Sequence, residues 1–185
     1  TVHIGSQVWI KQNLKTTKFN NGDAIPNYVS NSIYSGLTTA SYSNYNNDTV
    51  MANTYGRLYN WYAVSDIRGL CPAGYKVPSD AEWTDLSNYL GGDAVAGGYL
   101  KEAGLSHWTT PNAGATNVTG FTALPGGIRA TDGFYNGLST DGFWWTSSEY
   151  NTANALSRGI YFDYPDINNV YNNKKSGYNV RCLKN

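Results

Sequence analysis

Hydrophobic positions in this chain come in short bursts between Asn, Gly, Ser and Thr, and the spacing within each burst predicts a small element. Val2-His3-Ile4, a Gly5-Ser6 turn and Val8-Trp9-Ile10 read as a hairpin. Residues 11–54 are polar and interrupted by Asn20-Asn21-Gly22-Asp23 and Pro26. They read as loops with short strands, held down by Ile25, Tyr28, Ile33, Tyr34 and Tyr42. Leu58, Trp61 and Tyr62 stand at i, i+3, i+4, which predicts a short helix over 56–65. A second helix, over 80–90, is better signalled. Ser79-Asp80-Ala81-Glu82 is a capping box, Trp83, Leu86 and Leu90 share one face, and Gly91-Gly92 supplies the stop.

From residue 93 onward the texture changes. Gly97-Gly98, Pro111-Asn112-Ala113-Gly114 and Pro125-Gly126-Gly127 divide the chain into segments too brief for helices. Strands are predicted at Phe121–Leu124, Gly142–Thr146, Arg158–Phe162, Asn169–Tyr171 and Tyr178–Leu183. In the last, Tyr178, Val180 and Cys182 alternate with Asn179 and Arg181. Two helices ahead of a strand-rich half predict an α+β fold. No repeat, heptad pattern or linker divides the chain, so residues 1–185 read as one domain.

Composition narrows the function. Thirteen basic and thirteen acidic residues cancel, so no long-range field favours nucleic acid or anionic lipid. Only 14% of residues are charged, against roughly 25% in an ordinary soluble domain. Asn, Thr, Ser, Gly and 16 tyrosines take their place, a surface chemistry suited to extracellular β-rich modules. No apolar run approaches the ~20 residues that cross a bilayer. The opening Thr1-Val2-His3-Ile4-Gly5 lacks signal-peptide features, which fits either a removed leader or the terminal domain of a longer polypeptide.

Catalysis needs a positioned base, nucleophile or metal. The two histidines are His3 and His107. His107 sits in Ser106-His107-Trp108 with no identifiable Asp or Ser partner, and reads as a partly buried loop histidine beside an aromatic. No GxSxG, HExxH, GxGxxG or P-loop pattern occurs. Cys71 and Cys182 have no CxxC and no neighbouring His, which argues against a metal. They are either two buried thiols or a disulfide of an oxidising compartment. A bridge closing so long a loop contributes roughly 4–5 kcal/mol in the chain-entropy model. The expectation is a protein that is not an enzyme and has no catalytic residue.

Seven segments in register resemble the Fibrobacter succinogenes major paralogous domain. They are Val8–Thr17, Tyr55–Val64, Gly69–Pro72, Val77–Trp83, Gly120–Gly127, Phe143–Glu149 and Val180–Lys184. That family occurs on exported and surface proteins of Bacteroidetes-type bacteria and on proteins of their phages. The resemblance implies a C-type-lectin-like fold: two helices on a small twisted antiparallel sheet, with long loops carrying the ligand site. It also implies a bridge from Cys71 to Cys182. Formylglycine-generating oxidases share the general fold, but the two thiols match a structural bridge better than a redox pair. Many C-type lectins hold sugars through Ca²⁺. The EPN, QPD and WND triplets are absent here, and Tyr164-Pro165-Asp166 imitates one without a ligating first residue. The expectation is therefore no cofactor, with a structural Ca²⁺ as the alternative.

The segment Tyr150–Asn173 is the candidate recognition surface. Ala155, Leu156, Ile160, Ile167 and Val170 read as apolar anchors, and Arg158 as an inward-pairing cation. The expected ligand-binding residues are Tyr150, Asn151, Asn154, Ser157, Gly159, Tyr161, Asp163, Tyr164, Asp166, Asn168, Asn169 and Tyr171. Strand alternation would put Ser157, Gly159, Tyr161 and Asp163 on one outer face. Trp108, Tyr135 and Trp144 are further aromatic candidates, with Trp144 expected to pack inside. Tyr offers large amphipathic contact area at little entropic cost, and Ser, Gly and Asn adapt their hydrogen bonds, as in antibody paratopes. The competing reading is an ordinary polar sheet face. In some C-type-lectin-like proteins this stretch is diversified by retroelements acting on adenines, and the Asn, Tyr, Ser, Asp and Gly composition fits such a cassette. The function expected is an extracellular adhesion or ligand-binding domain, on a bacterial cell surface or a phage virion, meeting protein or glycan on a cell surface. A calcium-dependent lectin and a structural module without a ligand are the alternatives.

Overall fold

Gly5 takes a φ of 59°, and the turn it allows pairs β1 (Val2–Ile4) with β2 (Gln7–Trp9), Val2 opposite Trp9. This hairpin and all that follows come from a computed structural model, which describes residues 1–185. Then come α1 (Asn31–Ser35), β3 (Tyr42–Ser43), a 3-10 turn at Tyr45–Asn47, α2 (Thr49–Tyr55), β4 (Leu58–Tyr59) and α3 (Trp61–Val64). β5 (Tyr75–Lys76), α4 (Asp80–Tyr89) and α5 (Asp93–Leu100) lead to β6 (Gly126–Arg129), β7 (Tyr135–Leu138) and β8 (Asp141–Glu149). β9 (Asn154–Tyr161), β10 (Asn168–Asn173) and β11 (Leu183–Lys184) complete a mixed α+β fold.

The main sheet has the order β10-β9-β8-β6-β7, with β6 parallel to β8 and the other pairs antiparallel. A second sheet, β1-β2-β11-β5, brings the two chain ends together. Alternate residues of β8 serve two separate cores. Phe143 and Trp145 pack with Tyr59, Tyr178 and Val180, whereas Trp144 packs with Trp9, Trp83 and Phe121. The centre of the main sheet, at β8 and β9, is thus buried on both faces, unlike a sheet with one wet side. Cys71 and Cys182 form a disulfide with Cα atoms 5.9 Å apart, tying the segment after α3 to the approach to β11.

The capping box at Ser79 is complete: its hydroxyl accepts from the Glu82 amide, and the Glu82 carboxylate accepts from the Ser79 amide at 2.9 Å. Tyr178, Val180 and Cys182 share one core as their alternation predicts, but Tyr178–Leu183 is not a continuous strand: Tyr178 and Asn179 make isolated bridges and β11 starts only at Leu183. Asn179 and Arg181, on the other face, are nevertheless fully buried.

Several expectations are corrected. The helix over 56–65 is broken, because Gly56 sits at φ 81° and Tyr59 exchanges both backbone hydrogen bonds with Tyr178. Only Trp61–Val64 is helical, capped by Asn60. Residues 11–54 contain two helices, and Ile33 is exposed rather than an anchor. Phe121–Leu124 is not a strand: Thr122 has a φ of 56°, and β6 starts later, at Gly126. The largest miss is α5, where Gly97-Gly98 lies inside a helix.

Candidate functional site

The β9–β10 connection is shaped by what lies beneath it. A Cβ on Gly97 would come within 1.9 Å of the Asp166 carbonyl oxygen, and the Gly98 amide donates to the Pro165 carbonyl at 2.7 Å. Gly97 therefore lets α5 touch the loop backbone directly, while Gly98 makes room for the Gly114 carbonyl oxygen, 2.5 Å from where its Cβ would stand. The Ile167 amide donates to the Asp93 carbonyl, and the Ala113 amide to Phe162, so the loop is held from both sides.

Lys101 fixes the loop from below. The side chain is wholly buried, and Nζ donates to the carbonyls of Tyr161 (3.0 Å) and Tyr164 (2.9 Å), against the Trp108 ring. Burial pushes this ammonium down to about 8, while the nearby Asp163 and Asp166 favour its charged form.

Above this support lies an open hollow of about 460 Å³. Its walls are Tyr161, Phe162, Asp163, Tyr164, Asp166, Asn168, Asn169 and Val170. Tyr161 is set edge-on against Phe143, and burial raises its phenol. Tyr164 is 57% exposed. One oxygen of Asp166, Oδ1, is buried without a hydrogen-bond partner. Asp141, beside the same cluster, is also raised by burial.

Six of the twelve expected residues therefore meet: Tyr161, Asp163, Tyr164, Asp166, Asn168 and Asn169. Phe162 and Val170 also line the hollow and were not expected there. Tyr150 and Tyr171 form a separate exposed pair. Asn151 lies beside it in the β8–β9 turn, accepting from the Ala153 and Asn154 amides; Asn154 is half-buried.

Ser157 and Gly159 do not belong to any surface. Ser157 is fully buried with its hydroxyl on the Val170 carbonyl, and a Cβ on Gly159 would lie 2.8 Å from the Phe143 ring. β9 is an interior strand, so alternation chooses between two cores instead of core and water. Arg158, on the other face, is buried against Asp80 at 2.6 Å. Trp108 and Trp144 are buried, their indole N–H groups donating to Ala123 and Asn13. Tyr135 stands elsewhere, bonded to Asn47.

His107 has a partner after all: Glu102, whose carboxylate is 2.8 Å from Nδ1, with the Tyr55 ring edge-on beside it. Five positions of loop separate the pair, with no periodic signal to announce it. No three His, Cys, Asp or Glu side chains gather in an arrangement that would hold a metal. No helix is long and apolar enough to cross a membrane.

Residues 2–184 match the model of a family described as the Fibrobacter succinogenes major domain. No curated protein matches the chain.

Proposed function

The chain belongs to the Fibrobacter succinogenes major domain family, and from that premise we propose an extracellular recognition domain of the C-type-lectin-like kind. Its β9–β10 connection binds a protein or glycan on a cell surface, without catalysis. One observation carries this reading: a hollow edged by an exposed tyrosine and neutral amides sits on a loop pinned by Gly97 and Lys101. Such a surface offers aromatic stacking and neutral hydrogen bonds while staying ordered before the ligand arrives. The disulfide suits the oxidising surroundings of an exported protein.

Asp163 and Asp166, with the unpartnered Asp166 oxygen, favour a second reading in which Ca²⁺ assists sugar binding. The Lys101 ammonium below already supplies positive charge to these carboxylates. The calcium-free reading is therefore the stronger. Glycan and cell-surface protein arrays, probed with and without chelator, separate the two. Signal that survives chelation and falls with Tyr164→Ala supports the first reading; signal abolished by chelation supports the second. Oligomers through this face, with no array signal, would point to a structural module.

If the segment is retroelement-diversified, the packing restricts where. Tyr150, Tyr164 and Tyr171 are exposed and free to vary, whereas Asn169 donates to Asp80 and Ser157 and Gly159 are held by their neighbours. The test is an adenine-rich, near-identical template repeat beside the gene; without one, and without a reverse transcriptase nearby, the idea fails.

A further inference from the structure

A second hollow, about 370 Å³, opens away from the β9–β10 connection, and its charge is one-sided. Lys11, Lys15 and Arg181 line it, and no carboxylate does. Neither lysine belongs to an ion pair. Lys15 donates to the Asn53 carbonyl at 2.7 Å, which leaves two of its three N–H groups available.

Arg181 is the unusual member. Its side chain is 1% exposed, and its guanidinium donates to Asn13 Oδ1 and to the carbonyls of Lys11 and Phe121, lying over the Phe121 ring. All of these partners are neutral. Burial lowers its affinity for the proton, to about 9, with no acidic group acting in the other direction. It remains charged at neutral pH. Buried cations are ordinarily paired, because leaving one unpaired is costly. Here the hydrogen bonds are satisfied, yet the net charge is not cancelled.

The wall contains a second anomaly. Thr122 has a φ of 56°, a region that β-branched residues rarely occupy. Asn117 holds it there, accepting from the Thr122 amide at 2.9 Å and donating to its hydroxyl at 3.0 Å. Strain of this kind persists only where the surroundings impose it, and it concentrates at binding sites.

We propose that this pocket binds a tetrahedral oxyanion, the sulfate or phosphate group of a monoester. Arg181 supplies fixed charge from the floor, its N–H groups already engaged. Lys11 and Lys15 make the direct contacts as mobile point charges. The site is independent of the tyrosine-rich loop.

Calorimetric titration of the intact protein with inorganic sulfate, and separately with phosphate, tests this at constant ionic strength against chloride. Saturable binding of at least one oxyanion is expected, weakened roughly tenfold or more in Lys11→Gln/Lys15→Gln, a loss of about 1.4 kcal/mol. Tyr164→Ala should bind as the parent does. No saturable binding, a response that chloride reproduces, or equal affinity in the double variant each overturns the proposal. The lysines are surface groups without ion pairs, so the variant is expected to fold. Its circular dichroism should match the parent's, and if it does not, Lys11→Arg/Lys15→Arg decides. This conservative pair keeps the charge and must keep the binding.

Discussion

The rings of Tyr150 and Tyr171 lie 4.7 Å apart and 11° from parallel, with both residues more than half exposed. Tyr150 closes β8 toward its turn, and Tyr171 stands in β10, the edge strand of the main sheet. The stack forms a small aromatic platform that no other part of the chain covers.

Removing either ring should therefore affect recognition more than folding. Tyr171→Ala loses the stack, worth about 0.5–1.5 kcal/mol, and Tyr164→Ala should stay within about 0.5 kcal/mol of the parent. Tyr161→Ala should cost more, because that ring packs against Phe143. Thermal unfolding should show the largest loss for Tyr161→Ala, less for Tyr171→Ala and least for Tyr164→Ala, while binding to a ligand found on arrays falls in all three. A large loss of stability in Tyr164→Ala would make that ring structural and remove it from the site.

Elements closed by local chemistry were legible in the sequence. The Ser79–Glu82 box needs no distant residue, and the first hairpin needs only Gly5. Elements defined by tertiary contact were not. Two adjacent glycines argue locally against a helix, and only the approach of the Asp166 backbone to Gly97 and of the Gly114 backbone to Gly98 explains why α5 requires them. Ser157 and Gly159 failed for a related reason: period-2 alternation identifies the two faces of a strand but not whether either is wet. Within the site, the tyrosines and amides were legible as a composition. Lys101 was not, because nothing in its neighbourhood marks a lysine as buried.

The disulfide lends itself to a direct measurement. Bridging Cys71 to Cys182 closes most of the chain into one loop, which constrains the unfolded ensemble. Cys71→Ala/Cys182→Ala should lose about 2–5 kcal/mol in denaturant unfolding, and reduction of the parent should give a comparable loss. Unchanged stability under both treatments would mean that the bridge contributes nothing to the fold.

Lys101 gives the protein a pH dependence of definite sign. Its folded pKa, about 8, lies below the ordinary lysine value of roughly 10.4. Over that interval the unfolded chain binds more protons than the folded one, so stability rises with pH as the buried charge is neutralised. Arg181, pushed down to about 9, acts in the same direction. Tyr34, Tyr59 and Tyr178, raised by burial, oppose it only above about pH 10, where free tyrosine ionises. Urea unfolding at about pH 7.5 and pH 9.5 should show the gain, and Lys101→Met should reduce it. A rise of equal size in the variant would assign the effect to other groups.

Gly97 offers the clearest separation of helix preference from loop placement. Alanine is the better helix former by about 1 kcal/mol, so local propensity alone favours Gly97→Ala. The added methyl would meet the Asp166 carbonyl oxygen at 1.9 Å, and that oxygen is backbone, unable to rotate away as a side chain would. Either α5 or the β9–β10 connection must move, at a cost of about 1–3 kcal/mol for overpacking. Because Lys101 holds the Tyr161 and Tyr164 carbonyls and the Ile167 amide is bonded to Asp93, displacement should fall on Pro165–Asp166 between them and deform the hollow. Gly36→Ala is the control, since its φ is −87° and its nearest neighbour lies 3.6 Å away. Amide chemical shifts should change around 161–168 in Gly97→Ala and stay fixed there in Gly36→Ala, with binding lost only in the former. If Gly97→Ala proves as stable as the parent and still binds, the loop is not seated on α5, and the rigidity on which recognition depends must arise elsewhere.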